Sequence, residues 1–465
     1  MASTAAAPRI TTASARSAGA KPEAGSAIEG AALRCSRREE HKYDSKDLHQ
    51  YMVPEFSVKD LLSAIPRHCF ERSTLRSSMY VLGDFAQAAL LVYGATWIDT
   101  LAGMVHLSFA FVSEAAVQTA VRYALWAMYG FVQGLVFTGI WVIAHECGHQ
   151  AFSPSKTINN TVGWVLHSAL LVPYHSWRIS HGRHHAGTGH ILRDEVFVPR
   201  TRDDMGKLPL RPHGTPPAPD SLSWGEWLAD VLEDAPLFVL FELLLKQLIG
   251  WPLYLLFNTS GQTHFPPNTN HFSPNSVIFD KRHRNQILIS DVGIGCTFAA
   301  LCAWAALSPG GWKEVAKYYI VPYFWTNNWL VMITYLQHTD PKLPHYDADT
   351  WTFPRGALST IDRQWLGPVG AHFFHGISET HVSHHISSKI PHYHAWDATE
   401  ALKRRLGQHY MKSDENVLAA LWRCQRSCRF VVHEPVAFYR NAHGVPGSVP
   451  VFAGSGTDSG VALSE

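Results

Sequence analysis

Residues 123–149 read YALWAMYGFVQGLVFTGIWVIAHECGH. Residues 123–144 carry no charge and match the roughly 20 apolar residues that a bilayer-crossing helix needs. The chain then turns polar without a break at His145-Glu146-Cys147-Gly148-His149. Residues i and i+4 share a helix face, so a helix continued out of the bilayer brings both imidazoles to one metal. Alone the pattern is weak: with 28 His in 465 residues, about one or two HxxxH spacings arise by chance. Gly148 leaves room for close backbone approach. Glu146 reads equally as a partner of the site or as a solvated charge.

Two more clusters change the weight of the first. His181-Gly182-Arg183-His184-His185 and His381-Val382-Ser383-His384-His385 are both HxxHH. One such pattern is expected roughly a tenth of a time, so a chance pair is below about one in a hundred. Each places three imidazoles around a small volume, a donor set that suits iron, zinc, copper or nickel. Eight imidazoles exceed the four of one tetrahedral zinc, so a two-metal site is the economical reading. His338 ends another apolar segment, in Tyr335-Leu336-Gln337-His338-Thr339. By itself it would be interfacial; a metal site on that membrane face makes it a ninth ligand. A ligating histidine usually gives its second N–H to a carboxylate or carbonyl. Asp194 after the second cluster and Glu379 before the third are expected in that role, with His375 as a further supporting group. His175, His190, His345, His392 and His394 lack ligand-like spacing and read as background.

The rest of the chain is membrane-like. Hydrophobic residues make up 46% and charged ones 17%, below the roughly 25% charged of soluble domains. The 16 Trp and 16 Tyr suit membrane interfaces. A net charge of +1 provides no field to recruit nucleic acid. Seven scattered Cys without a CxxC pair read as free thiols in a reducing compartment. Spans are predicted at about residues 79–98, 123–144, 287–307 and 318–337, with Asp84 and Asp291 tolerated inside them. Residues 236–257 hold Glu242 and Lys246 at helical spacing and, with 104–121 and 162–174, read as interfacial or re-entrant helices. Parity supports this choice. With a cytosolic N-terminus, two spans precede His145 and two more precede His338, so every cluster surfaces on one side. The Lys281-Arg282-His283-Arg284 run fits a cytosolic flank.

The predicted fold is therefore an all-α integral membrane protein: four transmembrane helices, interfacial helices and a cytosolic histidine-rich cap. Residues 1–45, rich in Ala, Ser and Thr with no apolar h-region, read as a disordered tail. Residues 46–440 form the membrane domain and 441–465 a flexible tail.

Several stretches resemble the membrane fatty acid desaturases. His145-Glu-Cys-Gly-His-Gln-Ala-Phe-Ser153 is similar to their first histidine box. Similar to the endoplasmic reticulum delta-12 (omega-6, oleate) branch are Leu171-Val-Pro-Tyr-His-Ser-Trp-Arg178, the second box, Arg193-Asp-Glu-Val-Phe-Val-Pro199, Gly250-Trp-Pro-Leu-Tyr254, Tyr335-Leu-Gln-His-Thr339, Glu379-Thr-His-Val-Ser-His-His385 and Pro391-His-Tyr393. The resemblance covers about residues 50–440. It implies a four-helix membrane core with a cytosolic di-iron cap, a buried acyl tunnel, molecular oxygen as co-substrate, and electrons from NADH through cytochrome b5 and its reductase. It implies metal ligation by His145, His149, His181, His184, His185, His381, His384 and His385, with His338 matching an additional ligand. Four residues before that ligand, relatives carry an Asn acting through water; this chain has Thr334. No His-Pro-Gly-Gly haem motif is present, so cytochrome b5 is expected as a separate partner.

Rivals on the same scaffold are an omega-3 or bifunctional delta-12/omega-3 desaturase, a hydroxylase, an acetylenase and an epoxygenase. Glu146 in the first box leans toward delta-12. Outside the class stand a di-zinc membrane lipid hydrolase and a metal-binding receptor or transporter. The latter would call for polar residues lining the spans, and the second span has no charged ones.

Overall fold

A computed structural model describes residues 48–109, 111–210, 217, 222–364 and 366–453. The expected N-terminal tail lies outside the described residues. Helices dominate. Those that position the site are α1 (Thr74–Ala95), α2 (Glu114–Gly148), α3 (Lys156–Ala169), α4 (Tyr174–Gly187), α5 (Pro236–Phe257), α6 (Arg284–Leu307), α7 (Val321–His338), α8 (His381–Ile386), α9 (His392–Leu406) and α10 (Val417–Ser427).

Among the described residues, four helical stretches are long and apolar enough to cross a membrane: Thr74–Gly103, Glu114–Gly148, Pro236–Phe257 and Lys281–Leu307. Three contain predicted spans. The fourth is not the predicted 318–337 but 236–257, the stretch read as interfacial. The reason is where the polar groups sit. α7 buries Thr326 and Asn327 inside the protein, so polarity that lowers its hydropathy never meets lipid. α5 turns its two charges inward: Lys246 Nζ donates to Gln425 Oε1 at 2.6 Å, and Glu242 accepts from Gln425 and Arg429. Its outer face then exposes Leu237, Leu240, Phe241, Leu244 and Leu248.

α2 and α7 form the inner pair. The apolar window of α2 is 72% buried, against 17% for Lys281–Leu307. They meet through glycine: a Cβ at Gly134 would lie 2.3 Å from Trp325 Cβ, so only a residue without one permits the approach. The Thr326 hydroxyl fills the seam by donating to Pro322 O within its own helix. A π turn at Ala316–Ile320 leads into α7 just before Pro322, a residue with no N–H to give the helix.

The end of the chain departs from expectation. Ser448–Val451 pairs in parallel with His49–Met52, so this part of the predicted flexible tail is a strand that ties the two ends of the described chain together. Residues 454–465 lie outside the described residues.

Candidate metal centre

Four chain segments deliver histidines to one place. α2 ends on a Schellman turn: Ala151 N donates to Glu146 O and Gln150 N to Cys147 O, with Gln150 at φ 63°. That leaves His145 and His149 on its last turn, their Nε2 atoms 3.2 Å apart. α4 starts after Pro173 and presents His181 and His185 with Nε2 atoms 3.1 Å apart. α7 ends at His338, and α8 is buried along its whole length. Its first turn is held by the Asp362 carboxylate, which accepts from Val382 N at 2.7 Å and from the Tyr410 hydroxyl. Burial pushes Asp362 up to about 7.

The rings sort into two sets. His145, His149, His181, His185 and His384 bring one nitrogen each within 4.8 Å of the others, and His184, His338 and His385 do the same. His381 joins the second set through an Nε2–Nε2 distance of 2.9 Å to His338. His185 and His385 stack across the boundary with centroids 4.1 Å apart. All nine sequence-predicted ligands are thus brought together.

Their chemistry fits cations. Burial first, then neighbouring imidazoles, holds His149, His181, His185, His381, His384 and His385 well below the ordinary histidine value. At neutral pH these rings are neutral, the form that ligates metal. A neutral imidazole has one N–H and one lone pair, yet His338 Nε2 faces both His184 Nε2 at 3.3 Å and His381 Nε2. One proton cannot serve two such contacts. Nε2 of His384 and of His385 are buried without a hydrogen-bond partner, although buried polar atoms are normally paired. A cation within each ring set answers these lone pairs.

The outer partners are mixed. His184 Nδ1 donates to Asp194 Oδ1 at 2.5 Å, and Asp194 is held by the amides of Gly189 and Glu195. This fixes the His184 tautomer with Nε2 bare. Glu379 is buried in the turn before α8, its amide on Gly376 O. His375 instead pairs with Asp84 of α1, Nε2 to Oδ2 at 2.8 Å, beside His392. Glu146 is buried, accepts from His392 N at 3.0 Å and lies 3.6 Å from His145 Nδ1.

Sequence reasoning missed Thr188. Its hydroxyl donates to His184 O at 2.6 Å, leaving the oxygen to accept from His385 Nδ1 at 3.2 Å. Only its place three residues after the second cluster hinted at this. Thr334, in contrast, returns its hydroxyl to Leu330 O at 2.9 Å while lining the neighbouring cavity.

That cavity has a volume of about 840 Å³ and borders His145, His181, His184, His338 and His381. Trp141, Val196, Leu253, Leu330, Ile333 and Ile377 supply much of its apolar wall. Its size falls in the roughly 300–1,000 Å³ range of small-molecule pockets.

Residues 123–415 match the family described as "Fatty acid desaturase". A delta(12) fatty acid desaturase of Mortierella alpina is 46% identical over 391 residues, covering 84% of this chain and 92% of the relative. An oleate hydroxylase of Claviceps purpurea is 42% identical, covering 86% and 84%. An endoplasmic reticulum omega-6 fatty acid desaturase of Brassica juncea is 40% identical, covering 82% and 88%.

Proposed function

The chain belongs to the fatty acid desaturase family, and from that premise we propose that it inserts the delta-12 (omega-6) double bond, converting oleoyl to linoleoyl groups. The observation that carries this reading is a double set of neutral imidazoles bordering one large apolar cavity. The names of the Mortierella and Brassica relatives support the regiochemistry.

In this reading His145, His149, His181, His185 and His384 hold one iron, and His184, His338, His381 and His385 hold the other. Two irons bound there supply, from molecular oxygen, the oxidising power needed to remove hydrogen from an unactivated methylene. The chain supplies the rest. Asp194 and Thr188 fix the tautomers of His184 and His385, while Glu379 supports the third cluster. His375 and Asp84 pair with each other further out, beside His392, and brace the fold without entering the metal centre. The cavity wall excludes water and seats the acyl chain so that one methylene lies against the ring sets. Regiochemistry follows from how deep that chain slides; one methylene changes discrimination by only about 1–3 kcal/mol.

Electrons come from NADH through a separate cytochrome b5 and its reductase. The protein sits in the endoplasmic reticulum membrane with the clusters and both termini cytosolic. Because α2 and α7 end at the same ring sets, the chain crosses the membrane an even number of times from the end of α2 to the end of α7. In this reading α5, although apolar enough to cross, lies along the membrane surface with its exposed leucines toward lipid, leaving α6 and α7 as the third and fourth crossings.

Expression in a host that makes oleate but no linoleate, with gas chromatography of its lipids, tests the assignment. Linoleate is the expected main product. A hydroxylated main product, as the Claviceps relative's name suggests, would retire the delta-12 reading while leaving the metal centre standing. So would consumption of supplied linoleate alone.

A further inference from the structure

A third histidine group lies apart from the nine central rings. His68, His394 and Asp397 bring one ligand atom each within 4.8 Å of the others. His68 belongs to the 3-10 turn Arg67–Phe70 that precedes α1. His394 and Asp397, three residues apart on α9, share a helix face. His68 Nε2 lies 3.2 Å from Asp397 Oδ2, and the two rings meet edge to face at 5.5 Å. The side chains of His68 and Asp397 are 51% and 64% exposed, so a dissolved ion reaches them directly.

The arrangement is fixed from beneath rather than by its own attraction. Cys69 is fully buried in an apolar cluster with Ala398 and Leu402 of α9 and Val382 of α8. That packing sets the turn against α9 and pre-positions the donors, whereas an exposed ion pair alone contributes little. Burial, Arg76 and His68 together hold His394 below the ordinary histidine value, which keeps its lone pair available.

We propose that His68, His394 and Asp397 form a second, independent metal site for a divalent transition ion of the zinc class. Two imidazoles and a carboxylate are a zinc donor set, with water completing four-coordination. The bound ion clamps the turn leading into α1 to the helix that follows the third histidine cluster. That helix begins at His392, whose amide holds Glu146 beside His145. The clamp thus braces the wall of the central site without touching it.

The test compares the full-length protein with the double variant His68→Gln/His394→Gln, both equilibrated in zinc buffers and analysed for metal. Whatever occupies the central rings, the wild type is expected to hold one zinc per chain more than the variant. Zinc is also expected to raise its melting temperature further than the variant's. Should the double variant fail to fold, Asp397→Asn on the exposed helix face serves instead, with zinc uptake shifted at least about tenfold to higher free zinc. Equal zinc content in wild type and variant across the whole range overturns the proposal.

Discussion

Two neighbourhoods of buried histidines lie side by side in this protein with opposite chemistry. In one, the His375 ring faces the Asp84 carboxylate at 2.8 Å, and the chain itself supplies the partner. In the other, ring faces ring: His145 on His149, His181 on His185, and His338 between His184 and His381. In the first pair the carboxylate answers the ring nitrogen that faces it. The second collects lone pairs that only a cation satisfies together. Buried histidines occur in both; what separates structure from chemistry is what each nitrogen faces.

Substitutions can break that contrast, beginning with the largest effect. His184→Ala or His384→Ala removes a donor outright. Metal and desaturation are expected to fall together by well over about 100-fold, since even an outer-partner loss costs 10–100-fold. Metal analysis beside lipid profiling reads both; full iron with lost activity would dissolve the link between ring sets and metal. Asp194→Asn keeps the shape but weakens the His184 tautomer, and a 10–100-fold loss of metal affinity is expected in chelator competition.

His375→Gln tests the other neighbourhood. It leaves Asp84 buried without its partner, so stability should drop by about 1–3 kcal/mol while the metal count stays at the wild-type value. A fall in metal content would place His375 in the same functional unit as the nine. Thr188→Val removes only the hydroxyl beside His385 Nδ1. The expected change is a few-fold lower turnover with metal retained, measured by product yield at equal protein.

Legibility followed the same division. The ring sets were readable because each ligand group is written locally, as i, i+3 and i+4 spacings on α2, α4 and α8. Their outer partners were not, because these lie far away in sequence. Asp84 and His375 are 291 residues apart and Thr188 and His385 are 197 apart, so no window joins them. Asp84 consequently read as a tolerated charge in an apolar span. Asp194 was the exception, being 10 residues from His184. Hydropathy was reliable for the outward-facing helices and poor for α7. The buried Asn327 and Thr326 lower the hydropathy of that helix, while Glu242 and Lys246, which point into the protein, made α5 read as interfacial although its outer face is apolar. The Ser448–Val451 strand was invisible for the same reason as Asp84: its partner is at the other end of the chain.

Everything proposed for the central site rests on two cations sharing nine imidazoles. The iron-to-protein ratio of the purified wild-type chain measures this directly. Two irons per chain are expected, with conversion of oleoyl groups that stops when oxygen is withheld. A chain carrying stoichiometric zinc and turning over lipid without oxygen, or one saturating at a single iron, would contradict it.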